Sequence, residues 1–137
     1  MIEFVFGGKG SGKTKKMIDM ANAEVETTMG EILFINDRDQ YRVSVDRNIR
    51  FINTEEFQIN SVERLYGFLC GVIAGNYDID RIYVDNLLRI ICADGVEDVK
   101  PLLEKLNPIQ KQYDVQFILS MSCEAEAFPE ELKALAE

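Results

Sequence analysis

The residues Gly7-Gly8-Lys9-Gly10-Ser11-Gly12-Lys13-Thr14 constrain this chain more than any other stretch. An apolar run, Ile2 to Phe6, leads into them, and a helical pattern starts at Lys13. The order G-x-x-x-x-G-K-[ST] between strand and helix is that of a phosphate-binding loop, the Walker A motif. A polyphosphate needs many donors close together, and backbone N–H groups supply them only if the chain curls around the anion. Glycine permits that curl, and the helix that follows adds unpaired N–H groups and a favourable dipole. Lys13 is placed for the β- and γ-phosphates and the Thr14 hydroxyl for Mg²⁺. The dinucleotide fingerprint G-x-G-x-x-G is excluded, because Lys13 stands where its third glycine would be.

The 137 residues suffice for one core, so residues 1–137 are read as a single nucleotide-binding domain. No apolar stretch approaches a membrane span of ~20 residues. The first strand starts at Ile2, leaving no room for a leader, and a cytoplasmic protein is expected. Cys70, Cys92 and Cys123 are odd in number and widely spaced, which suits reduced thiols and not a disulfide frame. Histidine is absent, so the commonest general base and metal ligand is missing. The net charge of −9 repels nucleic acid, yet Lys9, Lys13, Lys15 and Lys16 make the loop locally basic. A positive pocket on an acidic body fits a small anionic ligand.

Strand and helix patterns alternate, which predicts a three-layer α/β/α sandwich with a mainly parallel sheet of four to five strands. Strands are expected at Ile2–Phe6, Glu31–Asn36, Arg81–Asp85 and Val115–Ser120, with Arg50–Asn53 as a short edge strand. Helices are expected over Lys13–Met29, from a capping box at Asn60/Glu63 to Ala74, over Val96–Leu106 with a break at Asn107-Pro108, and from Pro129 onward. Gly67, Gly71 and Gly75 recur every four residues, which suggests close packing of that helix on the sheet. If the four main strands lie in the order one, four, three, two, the phosphate-loop strand is an edge open to pairing.

Ile82-Tyr83-Val84-Asp85 is an apolar strand ending in a carboxylate, the Walker B pattern, which assigns Asp85 to Mg²⁺ opposite Thr14. The competing reading is a helix cap for the segment that starts at Asn86. Many ATPases carry a glutamate after this aspartate to polarise the attacking water. Here Asn86 follows, and an amide orients a water but does not take its proton. Asp37 and Asp39, just past the second strand, are candidate bases, and Ser120 a candidate γ-phosphate sensor. Arg38, Arg42, Arg47 and Arg50 pair with phosphates, with a partner, or with the interleaved Asp37, Asp39 and Asp46.

From Gly7–Thr14 through Tyr66-Gly67-Phe68, Ala74-Gly75-Asn76-Tyr77-Asp78 and Val84-Asp85, the chain resembles small bacterial single-domain P-loop ATP-binding proteins, some labelled twitching-motility proteins. The resemblance implies a single-domain P-loop fold. More loosely, Ser11-Gly12-Lys13-Thr14 and Asp37-Arg38-Asp39-Gln40-Tyr41-Arg42 resemble the thymidine kinase core, whose Asp-Glu pair is Asp85-Asn86 here.

The expected function is Mg-dependent ATP binding with weak or partner-dependent hydrolysis. ATP is favoured over GTP because no [NT]-K-x-D guanine-reading motif is present. The alternatives are a small-molecule kinase using the same loop, or a non-hydrolysing nucleotide sensor or partner subunit. A protein partner or a homo-oligomer would supply a missing catalytic group.

Overall fold

Strands whose residues are apolar on both faces must be covered on both faces, and the helices between them do the covering. The computed structural model describes residues 2–137. In chain order its elements are β1 (Glu3–Phe6), α1 (Lys13–Glu24), β2 (Glu31–Asn36), β3 (Arg50–Asn53), α2 (Val62–Gly75), β4 (Ile79–Val84), α3 (Leu87–Ile90), α4 (Lys100–Tyr113), β5 (Gln116–Met121) and α5 (Glu130–Leu135). All five strands are parallel, in the order β1-β5-β4-β2-β3. The four main strands thus lie in the order one, four, three, two, which the sequence left open, and Arg50–Asn53 adds the fifth outside β2. The strand that leads into Gly7–Thr14, β1, is an edge.

The two faces are unequal. On one, Leu33, Ile35, Ile82, Val84, Phe117 and Leu119 pack against Leu65, Leu69 and Ile73 of α2 and Leu102, Leu103 and Leu106 of α4. On the other, Ile32, Phe34, Tyr83 and Ile118 meet Met17, Ile18 and Ala21 of α1, with Val45 and Ile49 from the segment after β2. That segment, expected as a polar loop, contains a 3₁₀ turn over Asp39–Ser44. The second face is therefore covered by one long helix and an irregular flap.

Several local expectations are corrected. The first helix ends at Glu24, not Met29. Past it the chain tightens, with the Glu26 N–H donating to the Ala23 carbonyl at 3.3 Å and the Thr27 N–H to the Glu24 carbonyl at 3.1 Å. The Thr28 hydroxyl donates to the Asp80 carboxylate and accepts from the Gly30 N–H at 3.2 Å. The α2 cap is Ser61, whose Oγ accepts from the Arg64 N–H at 3.1 Å, one residue later than the expected capping box. The fourth helix does not break at Pro108. A 3₁₀ turn over Val96–Val99 leads into α4, which runs through the proline to Tyr113. An interior proline costs ~3 kcal/mol. Burying Leu102, Leu103 and Leu106 contributes about 1.5–3 kcal/mol each, which outweighs it. Pro108 and Glu104, whose carbonyl it leaves without a donor, both face solvent.

The glycines of α2 do not pack on the sheet. Leu65, Leu69 and Ile73 form the inner face, while Gly67, Gly71 and Gly75 are exposed and an added Cβ would meet nothing within 4 Å. Cys70, Cys92 and Cys123 are free thiols. Among the described residues no helix is long and apolar enough to cross a membrane.

An exposed helical glycine with open space around it only adds backbone entropy to the unfolded chain. Gly67→Ala and Gly71→Ala should each stabilise the protein by about 0.5–1 kcal/mol, read as a raised urea midpoint at unchanged slope. A lowered midpoint would mean that these positions make contacts absent here.

Candidate functional site

The loop between β1 and α1 is tied down at its start, where the Gly7 N–H donates to the Cys123 carbonyl at 2.9 Å. A Cβ at Gly7 would run into Ser11 Oγ. Gly12 has φ 86° and sits at the N-cap of α1 with no side-chain cap. A left-handed N-cap suits glycine, and with no side chain claiming them the first helical N–H groups stay available to an anion. The Lys13 ammonium donates to the Gly8 carbonyl at 2.9 Å and is only 7% exposed. Its charge is thus held over the loop with a single neutral acceptor.

Asp85 stands just past β4 and is 0% exposed. Its Oδ2 accepts from Thr14 Oγ1 at 2.6 Å, joining residues 71 apart in the chain, and from Asn36 Nδ2 at 2.8 Å. Its Oδ1 accepts from Ser120 Oγ at 2.6 Å. A buried carboxylate without donors would be strongly destabilising, and here three elements supply them. The structure therefore brings Lys13, Thr14, Asp85 and Ser120 together. Ser120 lies beneath the carboxylate, fully buried, and also accepts from the Asn86 N–H at 2.7 Å. Ser122, two residues on, lines the open cleft. The carboxylate of Asp85 is directed at these side chains and not at a helix end.

Asn36 was missed from sequence. The β2–β4 register pairs Ile35 with Val84, which brings Asn36 level with Asp85. Its Oδ1 accepts from the Arg38 N–H at 2.8 Å, so one amide links the carboxylate to the flap after β2. The available signal was a polar residue closing the apolar run Ile32–Ile35 at a strand C-terminus.

The other acidic candidates are committed elsewhere. Asp37 is clamped by Arg89 through two bonds, at 2.5 and 2.7 Å. Asp39 accepts from Arg42 at 3.0 and 2.8 Å, and Arg42 also reaches Glu56 at 3.1 Å and stacks over Phe51. Neither Asp37 nor Asp39 lines the cleft. Asn86 has φ 64° and ψ 48°, a left-handed conformation that asparagine tolerates better than glutamate does. Burial pushes the Cys123 thiol up, Glu124 adds to this and Lys13 opposes it, so the sulfur beside the loop stays protonated at neutral pH.

The cleft above the loop has a volume of about 1030 Å³. It starts at Lys9–Lys15, follows Ile18, Asp19 and Asn22 along α1, and ends at Arg38 and Tyr41 on one side and Leu88 and Arg89 on the other.

A second carboxylate at position 36 would face Asp85 across hydrogen-bond distance. Asn36→Asp should be markedly less stable than the parent at about pH 7.5, and the deficit should shrink near about pH 5 as one of the two carboxyls takes a proton. A deficit independent of pH in thermal denaturation would place the two groups apart.

No family model matches the chain, and no curated protein matches it. Among solved structures it is similar to a KaiC-like protein from the hyperthermophilic archaeon Pyrococcus horikoshii OT3, with a TM-score of 0.67 and 16% identity. The match covers 98% of this chain and 67% of that one. At this identity the likeness shows the fold alone. It carries neither the motility label nor the thymidine kinase resemblance. The shared architecture is a five-stranded parallel sheet flanked by helices, an α/β fold like that of the KaiC-like protein.

Proposed function

We propose that the chain binds Mg·ATP at Gly7–Thr14 and hydrolyses it slowly, or faster only when a partner supplies the catalytic group. The observation that supports this reading is the 2.6 Å bond from Thr14 to Asp85, which joins the end of the glycine-rich loop to the residue that follows β4. The backbone N–H groups at the start of α1 would hold phosphate oxygens. The Lys13 ammonium would leave the Gly8 carbonyl for them, because a charged acceptor makes the stronger bond.

The donor set suits Mg²⁺. Thr14 and Asp85 are hard oxygen ligands, and no cluster of three acidic, His or Cys side chains among the described residues forms a cage of its own. A metal here would arrive with the nucleotide, and Thr14 would turn a lone pair toward it while Asp85 holds it directly or through water. Bound Mg²⁺ supplies neutralisation of charge on the phosphate oxygens.

Slow turnover follows from what the residues that line the cleft lack. Asn86 and Ser122 orient a water, but neither takes its proton at neutral pH. Asp37 and Asp39 are occupied by Arg89 and Arg42. Asp19, the one carboxylate lining the cleft among the described residues, is paired with Lys15 at 2.9 Å.

Calorimetry with Mg·ATP should give a measurable heat, and Lys13→Ala should weaken binding by about tenfold or more. Asp85→Asn should keep ATP binding and lose most of its Mg²⁺ dependence. Release of ADP by the protein alone should be on the order of 10⁻³ s⁻¹, the range of P-loop proteins that await a catalytic group from elsewhere. An affinity indifferent to Lys13→Ala would sink the reading.

A further inference from the structure

We infer that the end of the cleft beyond β4 is a second ligand compartment, for a small molecule that carries a carboxylate or a phosphate and has an apolar body. The inference rests on the nucleotide reading in one respect: it places this ligand beside the terminal phosphate. Topology sets the direction. The phosphate loop follows β1, Asp85 follows β4, and Arg38 and Tyr41 follow β2, one strand further from β1. A nucleotide whose terminal phosphates meet Lys13 and Asp85 therefore turns that end toward Arg38 and Tyr41.

The extent of the cleft points the same way. Pockets for one small ligand run to about 300–1,000 Å³. At about 1030 Å³ the cleft stands at the top of that range, and its lining runs past the loop to Arg38, Tyr41 and Leu88.

The charges select an anion, although the chain as a whole carries −9. The Arg38 side chain has no hydrogen bond or ion pair among the described residues, and it lines the cleft. Arg89 is fixed from behind by Asp37 through its Nε and Nη2, which leaves Nη1 without a partner. Asp37 opens onto a separate small cavity and not onto this one. With Asp19 paired to Lys15, no free carboxylate among the described residues lines the cleft to repel an anion. Half-buried Tyr41, Leu88 and Ala93 give the compartment an apolar wall for the body of the ligand. The Arg38 backbone is pinned through Asn36 to Asp85, so the compartment is in register with the phosphate end of the site.

The test uses the full chain saturated with Mg²⁺ and a non-hydrolysable ATP analogue. It is titrated with 4-fluorobenzoate, 4-fluorophenyl phosphate and the neutral 4-fluorobenzyl alcohol, followed by fluorine NMR. At least one anion should bind the nucleotide-loaded protein while the alcohol does not, and the stronger of the two anions identifies the headgroup. Arg38→Ala should weaken the anion by about tenfold and leave nucleotide affinity within about twofold. Displacement of the anion by the nucleotide would overturn the inference, because the probe would then sit in the phosphate loop. So would a nucleotide affinity that falls in Arg38→Ala as steeply as the anion's, or no anion binding at all. If the analogue itself fails to bind, the nucleotide reading fails separately. In that case anion binding to the free protein that survives Lys13→Ala but not Arg38→Ala still supports the compartment.

Discussion

The buried carboxylate of Asp85 is the point on which the site depends. Thr14 from α1, Asn36 from the end of β2 and Ser120 from the end of β5 all donate to it. Each comes from a different part of the chain, so the carboxylate is satisfied only when the three strands and the loop helix stand in their native register. Hydrogen bonds to a charged group contribute about 1.5–3 kcal/mol each, and an unmet buried charge costs more. The same network that satisfies Asp85 in the fold also sets the distance between the loop Gly7–Thr14 and the end of β4.

The unequal covering of the sheet creates the cleft. On one side α2, α4 and α5 close over a continuous apolar layer. On the other, α1 and the flap after β2 share the work, and the gap between them is the open volume above the loop. The flap is anchored by Val45 and Ile49 beneath and by the Asn36–Arg38 bond at its root. Its arginines thereby acquire distinct roles. Arg42 is spent on Asp39, Glu56 and Phe51, whereas Arg38 remains open to the cleft.

The parts of this arrangement differ in how readily sequence exposes them. Gly7–Thr14 is legible because a glycine-rich loop is local: its glycines, lysine and threonine stand within one short stretch of chain. The four main strands are legible because both of their faces are apolar. Helix ends are less so, since Thr28 and Pro108 act through partners and burial that local propensity does not contain. Gly67 and Gly71 show the reverse error, where a regular spacing suggests packing and the face turns out to be solvent. Asp37 and Asp39 look alike in sequence, yet one is clamped by Arg89 from α3 and the other by Arg42 close by.

By itself the sequence determined the glycine-rich loop between strand and helix, the alternation of strands and helices, the carboxylate at the end of an apolar strand, and the amide at position 86. These are encoded by residue type and short spacing. Tertiary structure decided which polar groups meet. Parallel strands are joined through crossovers, so residues level with one another at the sheet's C-terminal edge lie far apart in the chain. That is why Asn36 emerges as a partner of Asp85, why Asp37 is tied to Arg89, and why Arg38 lines the cleft without a partner.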